Sequence, residues 1–591
     1  MPTMIIQSTG QSIALAPGES VLEALKREGL AMESPCDGNG ICGQCLIRVK
    51  NPGSVPETPH DGLGEEKMRM GFRLACRLVP DQDIEIVSIP LLSPGETEEE
   101  CRILSHDSFD QEDSEENQDR DMLENVGAWK LNPSARIRET ESGYELVYAG
   151  HPGALPLPDW KPEYRPTGLA VDIGTTTMVA SLLCLETGEE LSTASCLNPQ
   201  TAYGHDVMTR IQKGSDAEGL EELAAAAHKG LKRIIMEVCK DSETDPRQVV
   251  DVVLGGNTTM LQLAGRVDPE PLGRTPFNVG LQGGAVYAAT DFGMPVNPAA
   301  RLYIPPIAHA FVGSDVSAGL LACSDFFKKD SRVLFLDVGT NGEMGLSANG
   351  EWTVTSTAAG PAFEGAGLSC GMRARVGALE AVSAEEGFVL STIGDAPVKG
   401  VCGSGVIDLV AALLETGAME FTGRMVRPGQ ENDLPGELAG RLEEIDGQPA
   451  VRVGEGVYFT QKDVRQVQLA KSAIRTAVDM LIEEGGNPVL DAVILSGGFG
   501  HSLRPVSLEI IGMIPPGMAE KVVFAGNTSL LGSLKLLADH NGRKFIQDKM
   551  TRVRHVHLVD KPEYMDRYVM SMEFDTNEKT DGSDSLRESA A

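Results

Sequence analysis

The chain has 591 residues, with 51 Lys and Arg against 86 Asp and Glu, so its formal charge is −35. So acidic a surface argues against nucleic acid or an anionic membrane as a partner. The N-terminus lacks the charged start and apolar segment of a signal peptide, and no apolar run of about 18 residues occurs, so we expect a cytoplasmic protein. The length predicts several domains, because domains hold about 100–200 residues each.

Residues 1–90 are predicted to form a small β-grasp domain, in which short strands wrap one helix. Strands are expected at 3–7, 12–15, 46–49 and 84–87, and a helix at 19–29. The most informative feature of this segment is its set of four cysteines in the pattern C-x5-C-x2-C-x30-C. They are Cys36, Cys42, Cys45 and Cys76.

This cysteine spacing predicts a [2Fe–2S] cluster, because ferredoxins hold such clusters with three closely spaced thiolates and one distant one. The loop is one residue longer than the plant-type C-x4-C-x2-C and resembles that of vertebrate-type and putidaredoxin-type ferredoxins. Four thiolates also suit tetrahedral zinc, which is the alternative. Zinc sites usually combine two short cysteine pairs, however, and Cys76 has no cysteine close to it in the sequence.

Residues 91–125 are predicted to be an acidic flexible linker. Within them, the segment 96–124 holds thirteen Asp and Glu against two Arg, with few large apolar groups to bury. A small middle region at 126–166 follows, in which we recognise no motif. Its proline-rich end is typical of a domain boundary.

The remainder predicts a duplicated α/β domain, because apolar strands alternate with longer helical stretches and two motifs occur twice. The run GLAVDIGTTT at 168–177 is echoed by VLFLDVGTNG at 333–342, and VLGGNTTM at 253–260 by VFAGNTSL at 523–530. We therefore expect two similar halves, at 167–330 and 331–570. A disordered tail is expected at 571–591, where small, polar and charged residues dominate.

The first echo predicts a nucleotide site. Each strand ends on an aspartate, Asp172 or Asp337, whose carboxylate can hold Mg²⁺ directly or through water. Glycine and hydroxyl or amide residues follow, and such residues can approach and donate to phosphate oxygens. These residues are Gly174, Thr175, Thr176 and Thr177 in the first half, and Gly339, Thr340 and Asn341 in the second.

Two further features belong to this predicted site. The segment Ser496, Gly497, Gly498 and Phe499 follows an apolar strand and suits flat packing against an adenosine. Glu343, six residues after Asp337, is a candidate catalytic base, and a solvated carboxylate after the hairpin is the alternative. No G-x4-G-K-[ST] motif occurs, so a P-loop is excluded.

In this order, the motifs resemble those of the acetate and sugar kinase, heat-shock-70 and actin superfamily. The resemblance implies an actin-like ATPase domain whose first phosphate motif contains Asp172 and whose second contains Asp337. The segment 496–500 corresponds to its adenosine motif. The segments 256–258 and 526–528 correspond to the starts of its two connecting helices.

Together with the cysteine-containing domain, nearly the whole chain resembles the reductive activators of corrinoid-dependent methyltransferase systems. Its most specific segments are 198–206, 359–371 and 401–408. The resemblance implies that ATP hydrolysis drives one electron from the [2Fe–2S] cluster to a corrinoid protein. Inactive Co(II) is thereby returned to Co(I) in an anaerobic methyl-transfer system, for example an O-demethylase. The implied cofactors are the cluster, ATP and Mg²⁺, and the implied partners are the corrinoid protein and a low-potential electron donor.

The face that meets the corrinoid protein is expected in the glycine-rich stretch 359–373, where Ser369 can offer an oxygen to cobalt. A turn in the nucleotide cleft is the alternative for this stretch. Cys370 and Cys402 are expected to be packing residues, and His309 a hydrogen-bonded scaffold residue. The oligomeric state is open, with a homodimer among the alternatives.

Three other functions remain open from the residues alone. A non-catalytic, chaperone-like ATP switch would share the ATPase fold but would give no role to the four cysteines. A small-molecule kinase with a fused ferredoxin domain would share the phosphate motifs and would release a phosphorylated product. An activator of a radical dehydratase would share the ATPase fold. A resemblance to that class, however, implies a [4Fe–4S] cluster bridged between two subunits.

Overall fold

The computed structural model describes residues 2–7, 11–28, 30–32, 45–50, 68, 71–88, 91–92, 135–141, 143–148, 153–204, 206–327, 331–384, 387–430, 434–497 and 503–574. Most of the predicted linker at 91–125 and of the predicted tail at 571–591 lies outside these ranges, so both stay predictions. No helix within the ranges has the length and apolar character needed to cross a membrane.

The N-terminal segment forms the predicted β-grasp fold. Its elements are β1 (Thr3–Ile6), β2 (Gln11–Ala14), α1 (Val21–Arg27), β3 (Ala31–Met32), β4 (Leu46–Val49), β5 (Phe72–Leu74), β6 (Ile84–Ser88) and β7 (Leu91–Leu92). The main sheet has the order β2-β1-β6-β4-β5, in which β1 runs parallel to β6. Val21, Leu22 and Leu25 recur on one face of α1 and are buried with Met4 and Ile86 of the sheet, which fixes the helix on it.

The middle region is a three-stranded antiparallel sheet that the sequence did not reveal. It consists of β8 (Ala135–Thr140), β9 (Gly143–Tyr148) and β10 (Ala154–Leu157). Leu146 and Tyr148 belong to the same buried cluster as Val250 and Leu537, so this sheet packs on the domain that follows. The Tyr148 hydroxyl donates to Asp251 Oδ2 at 2.9 Å.

The first half of the large domain is a mixed sheet with helices. Its elements are β11 (Thr167–Ile173), β12 (Thr177–Cys184), β13 (Glu190–Leu197), α2 (Val207–Lys213), α3 (Ala217–Asp241), β14 (Val249–Gly256), α4 (Thr258–Ala264), β15 (Ala285–Ala288), β16 (Arg301–Ile304) and α5 (Ser314–Ala322). The sheet order is β13-β12-β11-β14-β16-β15.

The second half contains a sheet of the same kind and two smaller three-stranded sheets. Its elements are β17 (Val333–Val338), β18 (Gly342–Ala348), β19 (Glu351–Thr357), β20 (Ala378–Ser383), β21 (Val389–Thr392), β22 (Gly400–Val401), α6 (Gly403–Glu415), α7 (Gly436–Ala439), β23 (Leu442–Ile445), β24 (Gln448–Gly454), β25 (Val457–Thr460), α8 (Gln461–Glu484), β26 (Ala492–Ser496), α9 (Pro505–Ile510), β27 (Val522–Gly526), α10 (Thr528–Ala538), α11 (His540–Met550), β28 (Arg554–His555) and α12 (Tyr564–Met570). The large sheet has the order β27-β26-β17-β18-β19-β28.

The two large sheets repeat one topology, as the echoed motifs predict. In each, three antiparallel strands are followed by two parallel strands that extend the sheet from the first strand of the meander. The long helices α3 and α8 pack on the second and third strands of their own sheets. The phosphate motifs therefore lie at equivalent places, at the ends of β11 and β17.

The halves are joined where α5 crosses α10 at close range. A Cβ atom on Gly319 of α5 would lie 2.6 Å from Thr528 Oγ1, and one on Gly532 of α10 would lie 1.9 Å from the Ala318 carbonyl oxygen. The expectation that a connecting helix begins at 256–258 is wrong in this respect, because the helix that packs on α10 begins at Ser314. The segment 256–258 instead starts the short buried helix α4.

Candidate functional site

The two predicted aspartates stand at the ends of equivalent strands, and each is held by the second half. Asp172 of β11 accepts hydrogen bonds from Asn527 Nδ2 at 2.9 Å and from Ser529 Oγ at 2.8 Å. Asp337 of β17 lies opposite Ser496 in the register of β17 and β26. The second echoed motif at the start of α10 thus contacts the first phosphate motif directly.

Two more carboxylates join this pair. Glu343 lies directly across from Asp337 in the pairing of β17 with β18, and it is only 8% exposed. The solvated alternative for Glu343 is therefore wrong, because the short hairpin folds it back under the cleft. Asp315, which the sequence analysis missed, is in the first turn of α5 and accepts a hydrogen bond from the Val316 backbone N–H.

Burial raises the affinity of all four carboxylates for protons, and neighbouring negative charges add to it at Asp315, Asp337 and Glu343. Burial and the charges of Asp337 and Asp172 raise the pKa of Asp315 to about 8, and burial and Asp172 raise the pKa of Asp337 to about 7. Burial also raises the pKa of Asp172 and, together with Asp315 and Asp337, the pKa of Glu343. Carboxylate oxygens are the donors that Mg²⁺ prefers, so the chemistry of these residues suits a divalent cation.

This cluster predicts a pH dependence of stability. Asp315 and Asp337 keep their protons in the folded chain up to about pH 7–8, whereas an aspartate in the unfolded chain has a pKa of about 3.9. At these two groups the native state therefore binds more protons between these limits, and their contribution to the free energy of unfolding falls as pH rises through them. In thermal unfolding from pH 5 to 8 without nucleotide, the midpoint of Asp315→Asn should rise relative to that of wild type, because the other titrating groups contribute equally to both proteins.

Asp291→Asn, a change at an exposed carboxylate, is the matched control and should keep the wild-type slope. Mg²⁺ with ATP should flatten the wild-type curve, because a bound cation compensates the carboxylate charges. An identical pH slope in Asp315→Asn and wild type would contradict this account of the cluster.

In both phosphate-motif hairpins the N–H of the first glycine closes a tight turn, although the two acceptors are not at equivalent positions. Gly174 N–H donates to the Thr177 carbonyl oxygen and Gly339 N–H to that of Asn341, each at 2.9 Å. A Cβ atom on Gly174 would lie 2.8 Å from the Thr177 oxygen, so glycine is needed for this turn. The turns leave Thr175, Thr176 and Thr340 partly exposed and able to donate.

Arg210 of α2 and Asn198 support the first hairpin by hydrogen bonds to its backbone. The fully buried guanidinium of Arg210 donates to the Thr175 carbonyl oxygen at 2.6 Å and to that of Gly204 at 2.8 Å. Asn198 Nδ2 donates to the Gly174 oxygen at 2.8 Å. Burial lowers the pKa of Arg210 to about 10, but the group stays charged at neutral pH.

Glu364 connects the two hairpins and was also missed by the sequence analysis. It accepts hydrogen bonds from the Thr340 N–H and hydroxyl, both at 2.9 Å, and from the Thr176 hydroxyl at 3.4 Å. Burial raises the pKa of Glu364. The beginning of the glycine-rich stretch 359–373 therefore lies in the nucleotide cleft, as the alternative interpretation of that stretch expected.

The end of the same stretch reaches the surface at Ser369. Its N–H donates to Asp463 Oδ1 at 2.7 Å, and its hydroxyl donates to Asp463 Oδ2, so the exposed side chain has a fixed direction. Cys370 and Cys402 are buried, and burial raises the pKa of the Cys370 thiol. The burial of both thiols agrees with packing roles.

The predicted adenosine motif begins where β26 ends. Gly497 has φ of +123°, and a Cβ atom there would lie 2.7 Å from the Val338 carbonyl oxygen. Ser496 Oγ lies 2.7 Å from Thr528 Oγ1, which links this motif to α10. Gly498 and Phe499 lie outside the described residues.

Two of the four predicted cluster ligands can be described, and they lie together. Cys45 and Cys76 are not joined by a disulfide, and their sulfurs lie 3.3 Å apart. The contact with Cys76 lowers the pKa of Cys45 to about 6, which favours the thiolate that metal ions bind. Thiolates on one tetrahedral ion with bonds of about 2.3 Å lie about 3.8 Å apart, so a small shift lets both bind one iron. Cys36 and Cys42 lie outside the described residues.

Comparison with known proteins agrees with this architecture. Residues 4–81 match the 2Fe-2S iron-sulfur cluster binding domain, residues 167–326 the RACo middle region, and residues 331–583 the C-terminal domain of RACo, the ASKHA domain. The corrinoid activation enzyme RamQ of Eubacterium limosum is 30% identical over 93% of this chain and 95% of its own length. The chain belongs to the RACo family.

Two further matches support this assignment. The [Co(II) methylated amine-specific corrinoid protein] reductase of Methanosarcina barkeri is 27% identical over 66% of this chain and 74% of its own length. A solved structure, the reductive activator for corrinoid,iron-sulfur protein, has a TM-score of 0.67 at 26% identity and covers 97% of this chain and 98% of its own. The predicted multidomain RACo-type fold, with a ferredoxin domain and a duplicated ATPase domain, is thereby confirmed.

The RACo-family fold explains why sequence reasoning found some site residues and missed others. Asp172 and Asp337 were found because each ends an echoed strand. Asp315 and Glu364 do not belong to a repeated motif, so the sequence indicates them only weakly. Asp315 follows Gly313 and Ser314 at the start of an apolar helical segment, and Glu364 is a single acidic residue in a glycine-rich segment. Tertiary packing alone brings both into the cleft.

Proposed function

We propose that this protein is an ATP-dependent reductive activator of a corrinoid protein, which converts inactive Co(II) to Co(I) in a methyl-transfer system such as an O-demethylase. The observation that carries the proposal is the similarity to a corrinoid activation enzyme along 93% of the chain. The thiol pair lies in the segment that matches the 2Fe-2S domain, and the acidic cleft in the segments that match the RACo middle region and the C-terminal domain of RACo. A low-potential donor is needed to supply the electron.

The four cysteines of the N-terminal domain would hold the [2Fe–2S] cluster. When bound, the cluster supplies a single low-potential electron. The chain's own contribution is to place two thiols together: Cys45 is 1% exposed, and its contact with Cys76 lowers the pKa of Cys45 to about 6, which favours the thiolate form.

In the cleft, Asp172 and Asp337 would hold Mg²⁺ on the phosphates of ATP, with Asp315 as a third carboxylate. The hydroxyls of Thr175, Thr176 and Thr340 and the amide of Asn341 would donate to phosphate oxygens. The Gly497 turn at the end of β26 would lie against the adenosine.

We assign Glu343 as the base that orients the attacking water. Burial and the charges of Asp315 and Asp337 raise the pKa of Glu343, which favours its protonated form in the empty cleft. A neighbouring Mg²⁺ would favour the ionised form, so the base would become active only when metal and nucleotide are present.

The contacts across the cleft suggest how nucleotide state reaches the rest of the molecule. Asp172 of the first half is bonded to Asn527 and Ser529 at the start of α10. This helix crosses α5, whose first turn carries Asp315. Any change in metal or phosphate at the carboxylates therefore acts on both crossing helices, and through them on the angle between the halves.

The test is an anaerobic optical assay of corrinoid reduction. The full chain with its cluster is mixed with a cob(II)alamin-loaded corrinoid protein and a chemical reductant, with and without Mg²⁺ and ATP. We expect loss of Co(II) that depends on ATP, with ADP and inorganic phosphate as products. A phosphorylated small molecule, or reduction at the same rate without ATP, would contradict the proposal.

Ser369 is proposed to face the corrinoid protein, because its hydroxyl is exposed and held in one direction by Asp463. Ser369→Ala should slow ATP-dependent Co(II) reduction about tenfold at low corrinoid-protein concentration, the size of one lost hydrogen bond or ligand contact. Ser369→Thr keeps the hydroxyl and is the matched variant, which should retain most of the rate. Equal rates for Ser369→Ala and wild type would remove this residue from the interface.

A further inference from the structure

Three histidines from the two halves meet beside the loop that leads into α5. His309 lies in that loop, between β16 and α5, whereas His555 ends β28 and His557 follows two residues later. One imidazole nitrogen of each lies within 4.8 Å of the other two. The Nε2 atoms of His309 and His557 are 3.2 Å apart.

Two nitrogens of this cluster are buried without a partner. His309 Nδ1 and His555 Nε2 make no hydrogen bond within the described part of the chain, although buried polar atoms in proteins are almost always satisfied. The His309 and His555 rings stack with centroids 3.7 Å apart, and Phe277 stacks on His557 at 5.2 Å. Aromatic rings therefore surround the imidazoles closely.

Burial favours the neutral form of the His309 and His555 imidazoles. Burial, with a contribution from His557, lowers the pKa of His309 to about 4, and burial with the two neighbouring imidazoles lowers the pKa of His555 to about 3. A neutral imidazole has a free lone pair on one nitrogen, which is the form that binds metal ions. His309, which was expected from the sequence to be a hydrogen-bonded scaffold residue, thus has a nitrogen available to a metal ion.

We propose that His309, His555 and His557 bind a divalent first-row metal ion, for which Zn²⁺ is the natural probe. Imidazole suits zinc, copper and nickel, and three histidines with a water in the fourth position form an established type of zinc coordination. Nitrogens on one tetrahedral zinc ion lie about 3.4 Å apart, close to the 3.2 Å between His309 and His557. The His555 ring has to turn out of its stack on His309, because parallel rings direct their lone pairs in parallel.

The position of the cluster gives such a metal ion a structural consequence. The His309 carbonyl oxygen accepts a hydrogen bond from Thr258 Oγ1 at 2.9 Å, which anchors it to the first half. β28 pairs with β19, which anchors His555 to the large sheet of the second half. A metal ion bound by all three histidines would link the two halves. One of its ligands, His309, would be six residues before Asp315, the carboxylate in the cleft.

The test measures zinc binding to the full chain with its cluster in place. Protein treated with a chelator is dialysed against Zn²⁺, zinc per chain is measured by mass spectrometry, and affinity is measured by calorimetry. His309→Gln and His557→Gln are compared with wild type and with His228→Gln. His228 is a matched control on α3, where its ring nitrogen pairs with the Ala264 carbonyl oxygen away from the cluster.

We expect wild type and His228→Gln to bind one more zinc ion per chain than His309→Gln and His557→Gln, or to bind it at least about tenfold more tightly. Zn²⁺ should also raise the unfolding midpoint of wild type and His228→Gln but not of the other two variants. Because all of these variants keep the same cysteines, any zinc bound to cysteine contributes equally to each and cancels when their zinc contents are compared. Equal zinc content and equal affinity in wild type and His309→Gln would overturn the proposal and leave the three rings as a stacked cluster only.

Discussion

Asp337→Asn should reduce ATP hydrolysis and ATP-dependent corrinoid reduction by roughly 10²–10³-fold, the range seen when one preorganised electrostatic group is removed from an active site. The substitution keeps the size of the side chain and removes the charge that would hold Mg²⁺. It also removes the repulsion between Asp337 and Asp172. In wild type, burial and this repulsion together raise the pKa of Asp337. The variant should therefore be inactive and at least as stable as wild type above pH 7.

This combination separates a functional role from a structural one. The absorption spectrum of the cluster should be unchanged, because Cys45 and Cys76 belong to a different domain. Asp291→Asn, at an exposed site, should keep full activity. Wild-type hydrolysis by Asp337→Asn would show that the cleft carboxylates do not position the metal.

Cys76→Ser should abolish the visible spectrum of the [2Fe–2S] cluster and, with it, corrinoid reduction. The sulfur of Cys76 lies 3.3 Å from that of Cys45, so one substitution disrupts the pair that is expected to share an iron. ATP hydrolysis without corrinoid protein should persist, because the cleft is unaltered. Iron and acid-labile sulfide analysis after anaerobic reconstitution measures the loss.

Cys402→Ser is the matched control. The Cys402 sulfur contacts the Leu379 carbonyl oxygen at 3.3 Å and Ser404 Oγ at 3.4 Å, contacts that a serine hydroxyl can also make. This variant should keep the cluster and the reduction rate. A colourless wild-type protein that contains zinc on its N-terminal thiolates would instead favour the structural alternative for these cysteines.

The sequence predicted the duplicated fold well because the motifs repeat in order. Two strands that each end on Asp-x-Gly predict equivalent hairpins. The repeated motif that contains Gly526 and Asn527 predicts a second strand-to-helix turn beside them. These patterns are local, since a strand of six or seven residues and its turn contain all of the information. The β-grasp domain was predictable for the same reason.

The features that sequence reasoning missed depend on long-range packing. Asp315 enters the cleft because α5 crosses α10 at glycine-sized separation, which no pattern around residue 315 reveals. His309 and His557 are 248 residues apart in the chain and 3.2 Å apart at their nitrogens. The middle sheet carries no motif, and its place is fixed by buried contacts such as that of Tyr148 with Asp251.

The bridge made by Glu364 has a consequence for how nucleotide enters. A carboxylate oxygen accepts from threonine in the same way as a phosphate oxygen, so Glu364 is an internal stand-in for the ligand at Thr340 and Thr176. If ATP binds to these threonines as proposed, its phosphate oxygens would replace the Glu364 carboxylate. The free energy gained at Thr340 and Thr176 would then be only the difference between the two sets of hydrogen bonds, and product release would return both threonines to Glu364 rather than to water.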